Sequence, residues 1–295
     1  MSAPASPFRA WLELARISNL PTAWTNMLAG WLLVGAQWPA APLACLLAGG
    51  SLLYIAGMIL NDIADVKWDR MHRPERPIAT GQIKLPAAIA VVLVFFAGGF
   101  VLCVQGATAC PWLTSALIAA IVFYDFLHKP WRGSVFVMGS CRTLLALVAA
   151  SAAAEHLNFE EHHEIIFKAI ALGGFVTGIT LFARHEAAPQ KSSRWEFAVA
   201  RIGLGLPLMT GIIYFAWHRS PVGGLFVLPL VFVIGSAIRL AMQNKSSIGP
   251  AVGLLLAGIV LVDALAVSTA SPLAAFAFVA AFPLVRLWQR VVAPT

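Results

Sequence analysis

The chain has 295 residues, of which 60% are hydrophobic and 11% are charged, with a formal net charge of +7. This composition excludes a soluble globular domain. The positive charge gathers in short loops between apolar runs, which is typical of membrane topology and not of nucleic-acid binding. We therefore predict an integral membrane protein that has the lipid bilayer, and no nucleic acid, as a partner.

Apolar runs of about 17–22 residues recur from end to end, and each can cross a hydrocarbon core of roughly 30 Å. The runs lack the alternation of a β-barrel, and backbone in lipid must be hydrogen-bonded internally, so we expect helices. The predicted fold class is all-α: a polytopic bundle of nine or ten transmembrane helices forming one domain over 1–295, with the bundle itself over 21–290. The candidate spans are 21–37, 41–60, 86–105, 108–126, 134–154, 165–183, 198–217, 222–242, 249–270 and 272–288.

The first predicted element lies before these spans. Residues 7–19 have the pattern of an amphipathic helix, with Ser6 as N-cap and Pro7 at the first helical position. We expect the segment 1–20 to lie at the membrane interface.

Lysine and arginine occur in every second loop up to residue 197. The basic loops are 61–85, 127–133 and 184–197, whereas the loops near 38–40, 106–107 and 155–164 contain neither residue. The positive-inside rule then places the basic loops in the cytoplasm. We predict an integral membrane protein whose site opens to the cytoplasm.

Three of the five aspartates follow the second span, at Asp62, Asp65 and Asp69. Carboxylates at i, i+3 and i+7 lie within about 60° of one another on a helix, and such like charges favour a bound cation. Arg73 and Arg76 follow at once. Because Mg²⁺ binds one or two carboxylates together with substrate phosphates, the pattern predicts Mg²⁺ and a diphosphate. The alternative is a solvated loop that sets topology, which needs basic residues but not aligned aspartates.

Two more polar clusters end the fourth and sixth spans. The fourth ends in a segment from Tyr124 to Lys129, and the sixth ends in Arg184-His185-Glu186. These ends lie on the same side as the aspartates, so one mouth is expected. Arg184 is a candidate to neutralise phosphate as a fixed bidentate donor.

Two charged residues lie inside apolar spans, where a charge is costly. Arg142 is expected to face a cavity or to pair with Asp125. Asp263 is either a functional residue or a carboxylate paired with Arg239 or with a hydroxyl group.

The order Asn61-Asp62-x-x-Asp65-x-x-x-Asp69, followed by Arg-Pro-Glu-Arg-Pro-Ile at 73–78, resembles the first aspartate-rich motif of the UbiA superfamily of intramembrane prenyltransferases. Residues 124–142 are similar to the helix 4–5 region of that family, and Arg16 and Asn19 are similar to its first-helix polar pair.

The resemblance implies a nine-helix fold around a lateral cavity that is accessible from lipid. It also implies transfer of an isoprenyl group from an isoprenyl diphosphate to a hydrophobic or aromatic acceptor, with Mg²⁺ as cofactor. Under this resemblance the metal ligands are Asp62, Asp65 and Asp69; the substrate contacts are Asn61, Arg16, Asn19, Arg73, Arg76, Lys129, Arg142, Arg184 and Glu186; and Tyr124 stabilises cationic character through its ring.

One departure from the family pattern lies at the end of the sixth span, where two or more aspartates are expected. Glu186 is the only carboxylate there before Glu196. The pattern resembles the UbiA-like member of the bacterial Ebo cluster, which implies a location in a bacterial inner membrane. An alternative function follows: a degenerate protein that binds or traffics an isoprenoid-linked metabolite without efficient catalysis. A secondary transporter fits less well, because the polar residues gather at one mouth and not at the midplane.

Overall fold

A computed structural model describes residues 6–36, 41–128, 131–154, 157–187, 194–218, 221–243 and 247–292. Side chains at 185–187, 194, 221 and 222 are also outside this description. The described ranges contain helices and no strands. The helices are α1 (Pro7–Leu14), α2 (Leu20–Leu33), α3 (Ala41–His72), α4 (Leu85–Val101), α5 (Pro111–Leu127), α6 (Ser134–Ala153), α7 (Phe159–Ala187), α8 (Arg194–His218), α9 (Pro221–Gln243), α10 (Ile248–Val267) and α11 (Pro272–Val291).

Eight of these helices are long and apolar enough to cross a membrane: α3, α4 and α6 to α11. Helix α5 is apolar but shorter, and α2 has 14 residues. The all-α, membrane-spanning fold class is therefore confirmed. The count of nine or ten transmembrane helices stays a prediction.

Helix α1 begins as its sequence indicates. The Ser6 side chain accepts a hydrogen bond from the backbone N–H of Arg9 at 3.3 Å, and Pro7 follows as the first helical residue. The helix ends at Leu14, however, so a continuous helix to residue 19 was wrong. Arg16 adopts the left-handed conformation (φ 44°, ψ 48°), and a 3₁₀ turn, Ile17–Asn19, leads into α2. This conformation costs a non-glycine residue about 1–2 kcal/mol, which the Arg16 side-chain contacts described below offset.

Helix α3 continues 12 residues beyond the apolar span predicted at 41–60, and ends at His72. The aspartate cluster is therefore helical, and the following loop covers only 73–84. That loop is held against the bundle by Ile78 and Ile83, which are buried in one cluster with Leu14 of α1. The α1 helix, the end of α3 and the loop thus form one packed unit.

Helix α10 is the central helix of the bundle. In its apolar stretch 78% of the residues are buried, against 22% in α4. It packs against α2, α7, α9 and α11. Inside this core the Thr25 hydroxyl donates a 2.6 Å hydrogen bond to Asp263 Oδ2. Of the alternatives for Asp263, the hydroxyl partner is the one that the structure contains.

Helices α6 and α7 approach closely because glycine stands at position 139. A Cβ atom there would lie 2.3 Å from the Gly173 carbonyl oxygen and 2.3 Å from Thr177 Oγ1. We expect Gly139→Ala to destabilise the bundle by roughly 1–3 kcal/mol through overpacking. The measurement is the thermal unfolding midpoint in detergent. Gly235→Ala on α9 is the matched control, because a Cβ atom there meets nothing within 4 Å; equal midpoints for the two variants would contradict the prediction.

Candidate functional site

The C-terminal ends of α3, α5 and α7 meet at one end of the bundle, which we call the aspartate end. Asp65 Oδ2 of α3 lies 3.5 Å from His128 Nε2, directly after α5. The His128 carbonyl in turn accepts a 3.2 Å hydrogen bond from Arg184 Nη2 of α7. The three helix ends that were predicted to share one mouth are therefore adjacent.

A chain of hydrogen bonds crosses the aspartate end from the N-terminal turn to α5. Arg16 Nη2 donates to Asn61 Oδ1 at 3.4 Å and to Asp62 Oδ1 at 3.2 Å. Asn61 Nδ2 donates to Asp125 Oδ1 at 3.0 Å. Arg16 combines a left-handed backbone with side-chain contacts to α3, and strained residues of this kind cluster at functional sites.

Arg76 bridges two carboxylates of α3. Its Nη1 lies 2.5 Å from Asp62 Oδ1 and 3.5 Å from Asp69 Oδ2, and both carboxylates are buried. Burial lowers the pKa of Arg76 and the charge of Arg16 lowers it further, while Asp62 and Asp69 act in the opposite direction. Arginine remains protonated at neutral pH, so Arg76 supplies a fixed positive charge.

The three α3 carboxylates have different partners. Asp62 and Asp69 share Arg76, whereas Asp65 faces His128. In the part of the chain that the structure describes, no three His, Cys, Asp or Glu side chains are grouped as a metal site. The donor set nevertheless fits one Mg²⁺, because this ion needs only one or two carboxylates when phosphate oxygens and water complete its shell. In the structure the guanidinium of Arg76 compensates the charge of Asp62 and Asp69, which is the role that a bound cation would have.

A cavity of about 230 Å³ opens beside this end. Most of its wall is apolar, with side chains from α3, α5, α6, α7 and α10, as expected for a site that receives a hydrocarbon chain. Its polar lining residues are Arg16, Asn19, Tyr54, Tyr124, Asp125, Arg142 and Thr180. Asn19 is fixed by Gln289 of α11, whose Nε2 donates to Asn19 Oδ1 at 3.1 Å.

Two tyrosines and one arginine lie along the cavity. Tyr124 stacks on the His128 ring, with centroids 5.3 Å apart. Tyr54 donates a hydrogen bond to the Arg16 carbonyl at 3.4 Å. Arg142 lines the cavity, and its Nη2 donates to the hydroxyl of Thr22 at 3.0 Å. Of the two alternatives for Arg142, the cavity position is therefore the one that the structure contains.

Arg184 is engaged with the protein itself. It donates to the carbonyls of Arg132 (2.7 Å) and His128 (3.2 Å) and to Ser134 Oγ (2.5 Å). It therefore fastens α7 to the α5–α6 connection, and its contact with phosphate stays a prediction. Lys129 and the side chain of Glu186 lie outside the described residues.

Arg73 lies at the start of the loop. Its backbone N–H donates to the Asp69 carbonyl at 2.8 Å, and its half-buried guanidinium acts electrostatically on Arg76. The structure places it at the aspartate end, as expected for a residue that follows the cluster directly.

Sequence reasoning gave no separate role to Asp125, His128 or Tyr54. Asp125 is a buried carboxylate at the end of an apolar helix, and that position alone marks a functional candidate. Tyr54 is one of three tyrosines in the chain, two of which line the cavity. The contact of His128 with Asp65 depends on tertiary packing, so no local signal indicates it.

Comparison with known proteins decides the family. The model of the UbiA prenyltransferase family matches residues 21–295. The chain belongs to this family. The resemblance of the aspartate-rich motif to the UbiA superfamily is thereby confirmed, together with membership of a family of prenyl-transferring membrane enzymes.

Among curated relatives, a digeranylgeranylglyceryl phosphate synthase of Methanoculleus marisnigri is 32% identical over 144 residues, covering 44% of this chain and 50% of the relative. The chain thus spans about half of that relative. A 4-hydroxybenzoate octaprenyltransferase of Paracidovorax citrulli is 27% identical over 255 residues, covering 73% of this UbiA-family chain and 85% of the relative.

Two solved structures share the fold. A UbiA homolog from Aeropyrum pernix K1 superposes with a TM-score of 0.69 at 18% identity, over 86% of this chain and 97% of that one. A UbiA homolog from Archaeoglobus fulgidus, bound to GPP and Mg²⁺, gives a TM-score of 0.56 at 15% identity, over 92% and 99% of the two chains. The UbiA-type helical bundle is therefore shown for this chain.

Proposed function

We propose that this protein transfers an isoprenyl group from an isoprenyl diphosphate to an acceptor in a Mg²⁺-dependent reaction. One observation carries the proposal: a carboxylate cluster bridged by Arg76 is connected to an apolar cavity by Arg16, which contacts Asp62 and also lines that cavity. The polar end suits a diphosphate and the apolar wall suits its hydrocarbon chain. The GPP- and Mg²⁺-bound state of the Archaeoglobus fulgidus homolog supports the same pairing of ligands.

At the aspartate end, Asp62 and Asp69 would hold Mg²⁺, with Asp65 one turn away. A bound Mg²⁺ supplies neutralisation of the charge that develops on the departing diphosphate. Arg16 and Arg76 already contact Asp62, and their guanidinium groups orient diphosphate oxygens by charge-assisted hydrogen bonds. Asn61, Arg73, Lys129 and Arg184 are the remaining proposed contacts of this end.

The cavity wall supplies the groups for the transfer step. The bond between C1 of the prenyl chain and the diphosphate oxygen breaks, and the electron pair leaves with the diphosphate. The nucleophilic atom of the acceptor forms the new bond to C1 and loses its proton. The ring of Tyr124 lines the cavity and would stabilise allylic cation character.

We propose that Asp125 accepts the proton that the acceptor loses. Its Oδ1 is held by Asn61, whereas its buried Oδ2 has no hydrogen-bond partner among the described residues. A buried carboxylate oxygen without a partner is costly, and a protic acceptor in the adjoining cavity relieves that cost. Asn61 thereby links the aspartate end to Asp125, the residue that accepts the proton.

The enzyme is favoured over the binding or trafficking protein that the altered α7 end suggested. The curated relatives described above are a synthase and a transferase. Membership of the Ebo-cluster branch stays a prediction. So does placement in a bacterial inner membrane with the aspartate end in the cytoplasm, which the basic loops 73–84 and 127–133 support.

The direct test uses purified full-length protein in nanodiscs with Mg²⁺ and labelled geranylgeranyl diphosphate. The acceptors are 4-hydroxybenzoate, geranylgeranylglyceryl phosphate and a bacterial lipid extract. We expect a labelled product and stoichiometric diphosphate, both abolished by EDTA. Tight binding of the diphosphate substrate without turnover on any acceptor would contradict the enzyme and support the binding protein.

A further inference from the structure

Arg142 carries a positive charge inside the bundle that the proposed reaction leaves unused. It lies on α6, eight residues from the start of that helix, and forms part of the cavity wall. Its Nη2 donates to the neutral hydroxyl of Thr22 at 3.0 Å, and its buried Nη1 has no hydrogen-bond partner in the part of the chain that the structure describes. The guanidinium also lies 5.6 Å from the centre of the Tyr54 ring.

Among the residues that the structure describes, no carboxylate lies within ion-pair distance of this charge. The ion pairs among the described residues do not include Arg142. Asp263 attracts the guanidinium from beyond ion-pair distance, and Asp263 is itself bonded to Thr25. A charge inside a membrane bundle is costly and is normally paired or faces a cavity or pathway, so the missing partner is to be sought in the cavity.

Arg142 lies apart from the aspartate end, where the diphosphate is proposed to bind. Its neighbour Tyr54 lies seven residues before Asn61 on α3, which corresponds to about 10 Å along the helix axis. This length exceeds that of a diphosphate group held by Arg16 and Arg76. The cavity therefore has positive charge at two separate places, one at the aspartate end and one at Arg142.

We propose that Arg142 binds an anionic group, a carboxylate or a phosphate, on the prenyl acceptor. The inference rests on the proposed transferase function and adds the chemical class of the acceptor. Thr22 and Tyr54 hold the guanidinium in place from two sides, and an arginine fork suits either oxyanion. The acceptor then extends from Arg142 toward Asp125, which also lines the cavity.

Binding of matched probe pairs to the full chain tests this without turnover. The carboxylate pair is 4-hydroxybenzoate and its methyl ester, and the phosphate pair is geranylgeranylglyceryl phosphate and geranylgeranylglycerol. We expect the wild type to bind the anionic member of one pair at least about tenfold more tightly. Discrimination within the first pair identifies a carboxylate and within the second a phosphate; none in either pair overturns the proposal.

The variant Arg142→Gln should abolish this discrimination, and Arg142→Lys should retain part of it. Arg239→Gln is the matched control, because Arg239 is an exposed arginine on α9 that does not line the cavity. Geranylgeranyl diphosphate binding, measured in parallel, should change less than about twofold in Arg142→Gln. If the wild type does not bind geranylgeranyl diphosphate, the transferase function itself is refuted. If Arg142→Gln still distinguishes the anionic probe from its neutral partner, only the acceptor site is refuted. If Arg142→Gln does not fold, Arg142→Lys takes its place, and undiminished discrimination in Arg142→Lys would overturn the proposal.

Discussion

Replacing Asp62 with alanine will reduce prenyl transfer by at least about 10³-fold, to background in most assays. Asp62 is the residue on which both bridging arginines converge, because its Oδ1 accepts from Arg16 at 3.2 Å and from Arg76 at 2.5 Å. The substitution removes a proposed Mg²⁺ ligand and leaves two largely buried guanidinium groups without this partner. The measurement is product formation from labelled geranylgeranyl diphosphate at saturating Mg²⁺.

The control for this variant is Glu75→Ala, which removes an exposed carboxylate from the neighbouring loop and should retain activity. Asp62→Asn keeps the side-chain volume. A similar loss of activity in that variant would show that the carboxylate charge, and not the packing of the side chain, is required. Full activity in vivo of the Asp62→Ala, Asp65→Ala double variant would refute both the enzyme and the binding protein, since each needs the diphosphate site.

Asp125→Asn is expected to lower the rate of transfer by about 10²–10⁴-fold, which is the usual contribution of a general base. The amide keeps an oxygen that can accept the hydrogen bond from Asn61, so the aspartate end should remain assembled. The expected signature is therefore a loss of turnover with geranylgeranyl diphosphate affinity nearly unchanged. Asp125→Glu should recover part of the rate, because it restores a carboxylate near the same place.

The matched control for a buried carboxylate in a membrane helix is Asp263→Asn. Asp263 is bonded to Thr25 and is not part of the cavity wall, so its variant should turn over at close to the wild-type rate. Wild-type turnover in Asp125→Asn would show that another group, or water, accepts the proton. An equal loss of diphosphate-substrate binding would show instead that Asp125 only supports the aspartate end.

Much of this architecture could be predicted from the sequence, because hydrophobic run length and the positions of basic loops are local signals. The meeting of the α3, α5 and α7 ends follows from the same count. The helical spacing of Asp62, Asp65 and Asp69 was also readable, but helical spacing alone does not show which loop folds back over them. The pairing of Arg76 with Asp62 depends on the packing of Ile78 and Ile83, which no periodicity encodes.

Two other features were beyond the sequence for a physical reason. The break of the first helix at Arg16 is stabilised by tertiary contacts with Asn61 and Asp62, since the local sequence alone favours continuation. Arg142 was expected to face a cavity or to pair with Asp125. The structure places it at the cavity, and its hydrogen-bond partner Thr22 is 120 positions away in the chain. Long-range side-chain pairs of this kind are decided by packing in three dimensions.

The hydrogen bond between Thr25 and Asp263 joins positions 238 residues apart, and Asn19 in the cavity is held by Gln289, 270 residues away. During translation at about 5–20 residues per second, the first helix of the bundle therefore waits roughly 10–50 s for its polar partners. Over that period its buried threonine faces lipid, the translocation machinery or an insertase. Because α10 supplies part of the cavity wall and α11 holds Asn19, the substrate site is complete only after the last two helices have been made.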